Sequence, residues 1–284
     1  MSHLPLSTRS ESSSWFSPKR RKLFTTLLWG VSSRQNPPTS SFVAPTDAGA
    51  TKRAVGRFEH ETLAVVLQVR GRILHCLLWQ RAQEPFAEHW ALPGGVLSQI
   101  ERLGSSLSRH LATKVDLTDV GFLEQLETRS DVDRDPRERV IATAYIALIA
   151  TDVNPTIPSD TAWFAVDDLP LMAFDHASII QSGRERLRAK LTYTNVGYAL
   201  VPLTFTIAEL RVVYEACLGH DVSPTNLQRV LLRREIIEST DSVAPSSSIG
   251  GRPAIIYRFR DRTLRVTDPF AAFRPPVGSA NANR

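Results

Sequence analysis

Between residues 92 and 117 the chain sets a glycine loop, one glutamate and one arginine in a fixed order. Leu92-Pro93-Gly94-Gly95 supplies the loop; five residues separate Gly95 from Glu101, and seven separate Glu101 from Arg109. Leu103, Leu107 and Leu111 recur every fourth residue, the period of an amphipathic helix. On such a helix positions 110, 113 and 114 share a face, and they hold His110, Thr113 and Lys114. Carboxylates there would make a Mg²⁺ site, because that ion takes oxygen ligands in near-octahedral geometry. Pyrophosphate cleavage relies on such metals to neutralise charge and to generate the attacking hydroxide. His110, Thr113 and Lys114 leave that face without a carboxylate, Lys114 gives it a cation, and Glu101 alone cannot hold such an ion.

A second constellation lies at Asp131-Val132-Asp133-Arg134-Asp135-Pro136-Arg137-Glu138-Arg139. A mixed-charge loop is often only a solvated turn. Beside a ligand cleft, Arg134, Arg137 and Arg139 offer planar forks suited to bidentate phosphate recognition. Arg81, at the end of a strand-like run, can join them. Trp90 and Phe122 are candidate stacking surfaces for an adenine ring, or else core aromatics.

The 95–117 register resembles a Nudix box, which reads Gly, five residues, Glu, seven residues, then Arg-Glu-apolar-x-Glu-Glu-x-Gly-apolar. The last three glutamates of that motif fall on His110, Thr113 and Lys114, so the resemblance implies a nucleotide-pyrophosphate hydrolase that has stopped hydrolysing. The flanking pattern agrees. Strands are expected at 62–69 and 73–79, joined by a tight Arg70-Gly71-Arg72 turn, and again at 121–128, 140–150 and 162–166. With a helix after the glycine loop, this is the composition of a Nudix-like α/β/α sandwich over residues 57–175. An active ADP-ribose hydrolase with a rearranged metal site, using Glu124 or Glu127, is the enzymatic alternative.

At 284 residues the chain is comfortable for two domains. The net charge of +5 is unevenly spread: residues 57–175 carry 11 Lys/Arg against 18 Asp/Glu, residues 176–265 carry 13 against 8, and the first 56 carry 8 against 2. Polyanion contacts therefore belong toward the C-terminus. Cys76 and Cys217 read as buried thiols in a reducing, cytoplasmic setting. No apolar run approaches the roughly 20 residues of a membrane span. Residues 1–56, rich in Ser, Thr and Pro around Lys19-Arg20-Arg21-Lys22, read as a disordered basic extension, and 266–284 as a disordered tail. Leu23 to Val31 superficially resembles a short signal core, but no small-x-small cleavage pattern follows cleanly.

Residues 176–265 read as a winged helix-turn-helix domain. A helix opens at Asp175-His176-Ala177 and runs to about Lys190. Thr206 and Glu209 form a capping box for a helix that stops at Gly219. Ser223-Pro224 starts a second helix running to about Ile237. A serine-rich loop follows, then a wing strand from Gly250-Gly251-Arg252-Pro253 to Phe259. The second helix would enter the major groove. Thr225, Asn226, Gln228, Arg229 and Arg233 are its candidate DNA contacts, with Arg229 suited to guanine and Asn226 to adenine. Arg252 would serve a groove or a phosphate; Lys190 and Thr192 are weaker phosphate candidates. Winged helices also bind proteins, which is the alternative.

The combination is similar to the Nudix-related transcriptional regulators (NrtR) across residues 58–260. It rests on Trp90-Ala91-Leu92-Pro93-Gly94-Gly95, Leu123-Glu124-Gln125-Leu126, Asp133-Arg134-Asp135-Pro136-Arg137, Phe174-Asp175-His176-Ala177, Lys190-Leu191 with Tyr193-Thr194, Glu209-Leu210-Arg211 with Val213-Tyr214-Glu215-Ala216, and Gly250-Gly251-Arg252-Pro253. The resemblance implies a homodimeric repressor of NAD-metabolism genes that binds double-stranded operator DNA. Its Nudix-like cleft would sense ADP-ribose or a related NAD-derived nucleotide as an effector, without a cofactor, and ligand binding would weaken DNA binding. Pro224-Thr225 stands where relatives often carry basic residues, so a phosphate contact is expected to be missing and the salt dependence of binding lowered.

Overall fold

The computed structural model describes residues 56–118, 120–244 and 253–268. The expectations for residues 1–55, the tip of the wing and the last sixteen residues lie outside that range.

Two long strands, β1 (Glu59–Arg70) and β2 (Ile73–Gln80), form a hairpin. Its two-residue turn places both Gly71 and Arg72 at positive φ, 54° and 73°, as the twist of a tight hairpin requires. Short strands β3 (Trp90–Ala91) and β4 (Gly94–Val96) follow, then helix α1 (Leu103–Val115). Strands β5 (Phe122–Arg129), β6 (Val140–Leu148) and β7 (Thr161–Ala165) complete the sheet, and helix α2 (His176–Tyr193) crosses it. The main path runs β3-β2-β1-β6-β5, with β4 paired to β1 and β7 to β2. Among the described strand-to-strand pairs of this sheet, only β1–β6 is parallel.

The period-2 geometry of β1 explains why residues 63–67 form an unbroken apolar run. Leu63, Val65, Leu67 and Val69 share a cluster with Ile179, Ile180 and Leu187 of α2. Ala64 and Val66 meet Leu107, Leu111 and Val115 of α1 on the other face. A sheet covered on both faces leaves no strand face for water. Gly183 lets α2 approach closely, since a Cβ there would lie 2.8 Å from Val65 Cγ1. Thus α2, expected to open the C-terminal domain, lies against the sheet as its second covering layer.

The C-terminal part begins after a 3₁₀ turn (Val196–Ala199). It holds β8 (Phe205–Thr206), α3 (Ile207–Leu218), α4 (Pro224–Arg233), β9 (Ile237–Val243) and β10 (Ile255–Phe259), with the strands ordered β8-β10-β9. The capping box forms as its residues predict: Thr206 N–H donates to Glu209 Oε2 at 2.7 Å, and Glu209 N–H to Thr206 Oγ1 at 3.3 Å. Gly219 closes α3 in the left-handed region, and Ser223 caps α4 with Pro224 in its first turn.

Three expectations need correction here. Helix α4 ends at Arg233 rather than near Ile237, because Glu235 takes φ 53° and turns the chain into β9. The first part of the segment read as a serine loop is strand β9. The start of the segment read as a tail is also tied down: Thr267 N–H donates to Tyr193 O at 2.8 Å. One apolar cluster runs from the inner sheet face through α2 to Leu210, Tyr214, Leu227, Leu231 and Phe259, so the two parts share a continuous core. Cys76 and Cys217 are free and buried within it, and burial pushes both thiols up.

Candidate functional site

The glycine loop is built around two close approaches. A Cβ on Gly94 would lie 2.1 Å from Thr62 O, which is why β4 can pair with β1 only with glycine there. A Cβ on Gly95 would lie 2.6 Å from the His110 ring. Arg109 fastens the loop to α1: Nε donates to Glu101 Oε1 at 2.9 Å and Nη2 to Oε2 at 2.7 Å. That bidentate bond draws the Glu101 carboxyl down to about 2. The surviving Glu and Arg of the motif therefore hold the frame rather than a ligand.

The other motif positions do not suit a metal. His110 is buried, its Nε2 donates to Val96 O at 3.2 Å, and burial lowers its pKa. Thr113 Oγ1 donates to Arg109 O at 2.8 Å. Lys114 carries its own positive charge. No group of three or more His, Cys, Asp or Glu among the described residues can hold a metal ion. Mg²⁺ requires several oxygen ligands, and these residues do not fit it.

What the loop encloses is a cleft of about 400 Å³, within the range of small-ligand sites. Glu61 and Leu63 of β1, Trp79 and Arg81 at the end of β2, the glycine loop, Lys114 of α1, Arg137, Phe174 and His176 line it. Its cations are Arg81, Lys114 and Arg137. Lys114 Nζ lies 4.2 Å from the centre of the Trp79 ring. Arg81 and Arg137 both pack on Phe174, with guanidinium carbons 4.8 and 5.9 Å from its ring centre. Phe174 is held at φ 52°, uncommon for an aromatic. Burial lowers the pKa of Arg81 and Lys114, and the bond to Asp135 raises that of Arg137. His176 Nδ1 accepts from Leu92 N–H at 3.1 Å. Its proton therefore sits on Nε2, which is buried without a partner among the described residues, and burial pushes the imidazole down to about 3.

Of the residues singled out from sequence, Arg81 and Arg137 line this cleft and the other four do not. Arg134 is buried: Nη1 donates to Glu61 Oε1 at 2.7 Å and Nη2 to Asp175 Oδ1 at 2.9 Å. Burial works against its charge, but the two carboxylates prevail and raise its pKa. Arg139 donates to Ser130 O and covers Phe58. Trp90 packs edge-on against Phe164, 4.6 Å between centres, and Phe122 lies in the core beside Lys190. Sequence reasoning missed Phe174 and His176 as cleft residues. The signal lay in Phe174-Asp175-His176-Ala177, which marked the resemblance without revealing which way the side chains face.

In the C-terminal part, Thr225, Asn226, Arg229 and Arg233 are exposed on α4 at helical spacing, and Arg229 Nη2 donates to Asn226 Oδ1 at 2.8 Å. Leu227 and Leu231 face the core. Gln228 is turned aside, its Nε2 donating to Tyr257 Oη at 2.7 Å. Lys190 is buried, paired to Glu124 at 2.7 Å, and so is not placed to meet a phosphate. Thr192 is exposed, with its hydroxyl donating to Ala189 O. Arg252 lies outside the described residues.

A two-sided mixed sheet with a cation-lined cleft, followed by a winged helix, is the architecture of a Nudix domain joined to a DNA-binding domain. The NUDIX domain family matches residues 59–182, and the NrtR DNA-binding winged helix domain family matches residues 197–259. The chain is 35% identical over 193 residues to the ADPR-responsive transcriptional repressor NtrR of Acinetobacter baylyi, covering 66% of this chain and 76% of that one. The structure of Shewanella oneidensis NrtR complexed with a 27mer DNA is similar at a TM-score of 0.62 and 30% identity, covering 70% of this chain and 93% of that one. An ADP-ribose pyrophosphatase of Methanocaldococcus jannaschii is 32% identical over 107 residues, 37% of this chain and 63% of that one. The chain belongs to the NrtR family of Nudix-related transcriptional regulators.

Proposed function

We propose that this chain is a ligand-gated transcriptional repressor of NAD biosynthesis or salvage genes. A homodimer binds operator DNA through two copies of α4 and its wing, and ADP-ribose or a related NAD-derived nucleotide binds in the Nudix cleft. The observation that carries the reading is the 193-residue match to a repressor described as ADPR-responsive, more than the Nudix part alone can supply. Thr225, Asn226, Arg229 and Arg233 are the proposed DNA contacts. Arg81, Arg137 and Phe174 are the proposed nucleotide contacts. The shared core offers a physical route between the two sites: a ligand that favours one placement of α3 and α4 over another shifts half-site registration in a dimer. The ligand releases DNA only to the extent that it binds the DNA-incompetent state better.

The enzymatic reading is weaker in this geometry. Glu124 pairs with Arg186 and Lys190, Glu127 pairs with Arg129, and neither lines the cleft. We therefore propose that the domain binds its nucleotide without hydrolysing it. Incubation with ADP-ribose and Mg²⁺ or Mn²⁺ should yield no AMP above a protein-free control, while footprinting on NAD-pathway upstream DNA should show a protected site. AMP formation with no footprint would reverse the assignment.

A further inference from the structure

We propose that Lys114 takes the place of a divalent cation in the cleft and, with Arg81 and Arg137, binds the ligand's diphosphate directly, so that effector binding needs no metal ion. The inference rests on the functional reading above and deepens it by stating how the charge of the nucleotide is met.

Lys114 stands at the last glutamate of the metal-binding trio in the Nudix register, and its side chain lines the cleft. The ammonium lies over the Trp79 ring, a cation–π contact that orders an otherwise flexible stem. Arg81 and Arg137 enter from the end of β2 and from the 131–139 loop, and Phe174 orders both. Arg137 gives Nε and Nη2 to Asp135, and Arg81 gives Nε and Nη2 to Pro85 O and Gln83 O, so each offers a phosphate its charge and its remaining N–H groups. The carboxylate lining the cleft, Glu61, already accepts from Arg134 at 2.7 Å. Three cations thus converge where a diphosphate would otherwise need Mg²⁺ to enter.

The rest of the motif is spent on structure. Both Glu101 oxygens are held by Arg109, His110 is bonded to Val96 O, and Thr113 to Arg109 O. No carboxylate of the motif remains to bring a metal. An independent observation points to a ligand: His176 lines the same cleft and carries a buried Nε2–H with no partner among the described residues. A buried donor left unpaired is uncommon, and a phosphate or ribose oxygen would satisfy it.

The test is calorimetric titration of the full chain with ADP-ribose, once in EDTA and once in Mg²⁺. The expected result is an equal Kd within about twofold in both buffers, since no inner metal contributes. Lys114→Gln should weaken binding in EDTA by at least about tenfold, and Lys114→Arg should recover part of the loss. Binding seen only with Mg²⁺ would overturn this inference and leave the regulator reading standing. An unchanged Kd in a folded Lys114→Gln variant would also overturn it. No binding in either buffer would overturn the effector assignment itself, and this inference with it.

Discussion

Arg134 joins Glu61 on β1 to Asp175 at the head of α2, with Nη1 2.7 Å from one carboxylate and Nη2 2.9 Å from the other. Its side chain is 1% exposed, and those of its partners 21%. The arginine that looked from sequence like a phosphate fork is thus a brace across the base of the cleft. Removing it strands two carboxylates in a poorly solvated place, the costly way to break an ion pair. Arg134→Ala should lower the unfolding free energy by about 3 kcal/mol, measured by urea denaturation. Arg134→Lys should recover little, because a single ammonium cannot copy the two-sided fork.

His176 gives stability a pH dependence whose sign follows from its environment. Its folded pKa is pushed down to about 3, against about 6.5 in an unfolded chain. Between those values the unfolded state holds a proton that the folded state does not, so stability is lost as pH falls from 6.5 toward 3. The slope from this group approaches about 1.4 kcal/mol per pH unit. Unfolding free energies at pH 7 and pH 5 should differ less in His176→Asn than in the parent chain. Equal differences would remove His176 from the account.

Gly94→Ala tests the close approach of the glycine loop. The added Cβ would meet Thr62 O, a backbone atom that cannot swing aside. Destabilisation of about 2 kcal/mol is expected, with loss of nucleotide affinity because the loop forms one wall of the cleft. Gly104→Ala is the control: it is open on α1, and alanine there should be neutral or stabilising.

On the DNA side, Arg229→Ala should cost about 1–3 kcal/mol of operator affinity and relax discrimination at one base position. Arg233→Ala should weaken all sequences alike and lower the salt slope by about 1. Lys190→Ala should change DNA affinity only through stability, because that lysine is buried against Glu124. Binding isotherms at several salt concentrations separate these outcomes.

Local rules were legible wherever a residue acts on its own neighbours. Thr206 and Glu209, Gly219, Ser223-Pro224 and the Arg70-Gly71-Arg72 turn each fixed a boundary that the structure keeps. The reading failed where long-range packing decides. Helix α2 carries the polar periodicity of a surface helix, and nothing local says that its apolar residues are shared between the sheet and α3. Strand β9, Ile237–Val243, is rich in polar residues, and only its pairing with β10 makes it a strand.

The candidate site shows the same limit. Arginine forks were visible as residue types, but burial sorts them: Arg137 and Arg81 reach the cleft, while Arg134 is consumed by carboxylates 73 and 41 residues away in sequence. Lys114 is legible in the sequence as a cation in place of a metal ligand; that its ammonium rests over Trp79, on another element, is not.

The most direct test of the account is fluorescence anisotropy of the full chain on labelled upstream DNA of NAD-pathway genes, at physiological salt, with and without ADP-ribose. The account predicts sequence-specific binding that ADP-ribose relieves. Specific binding indifferent to ADP-ribose would contradict the gating, and no specific binding to any such DNA would contradict the repressor.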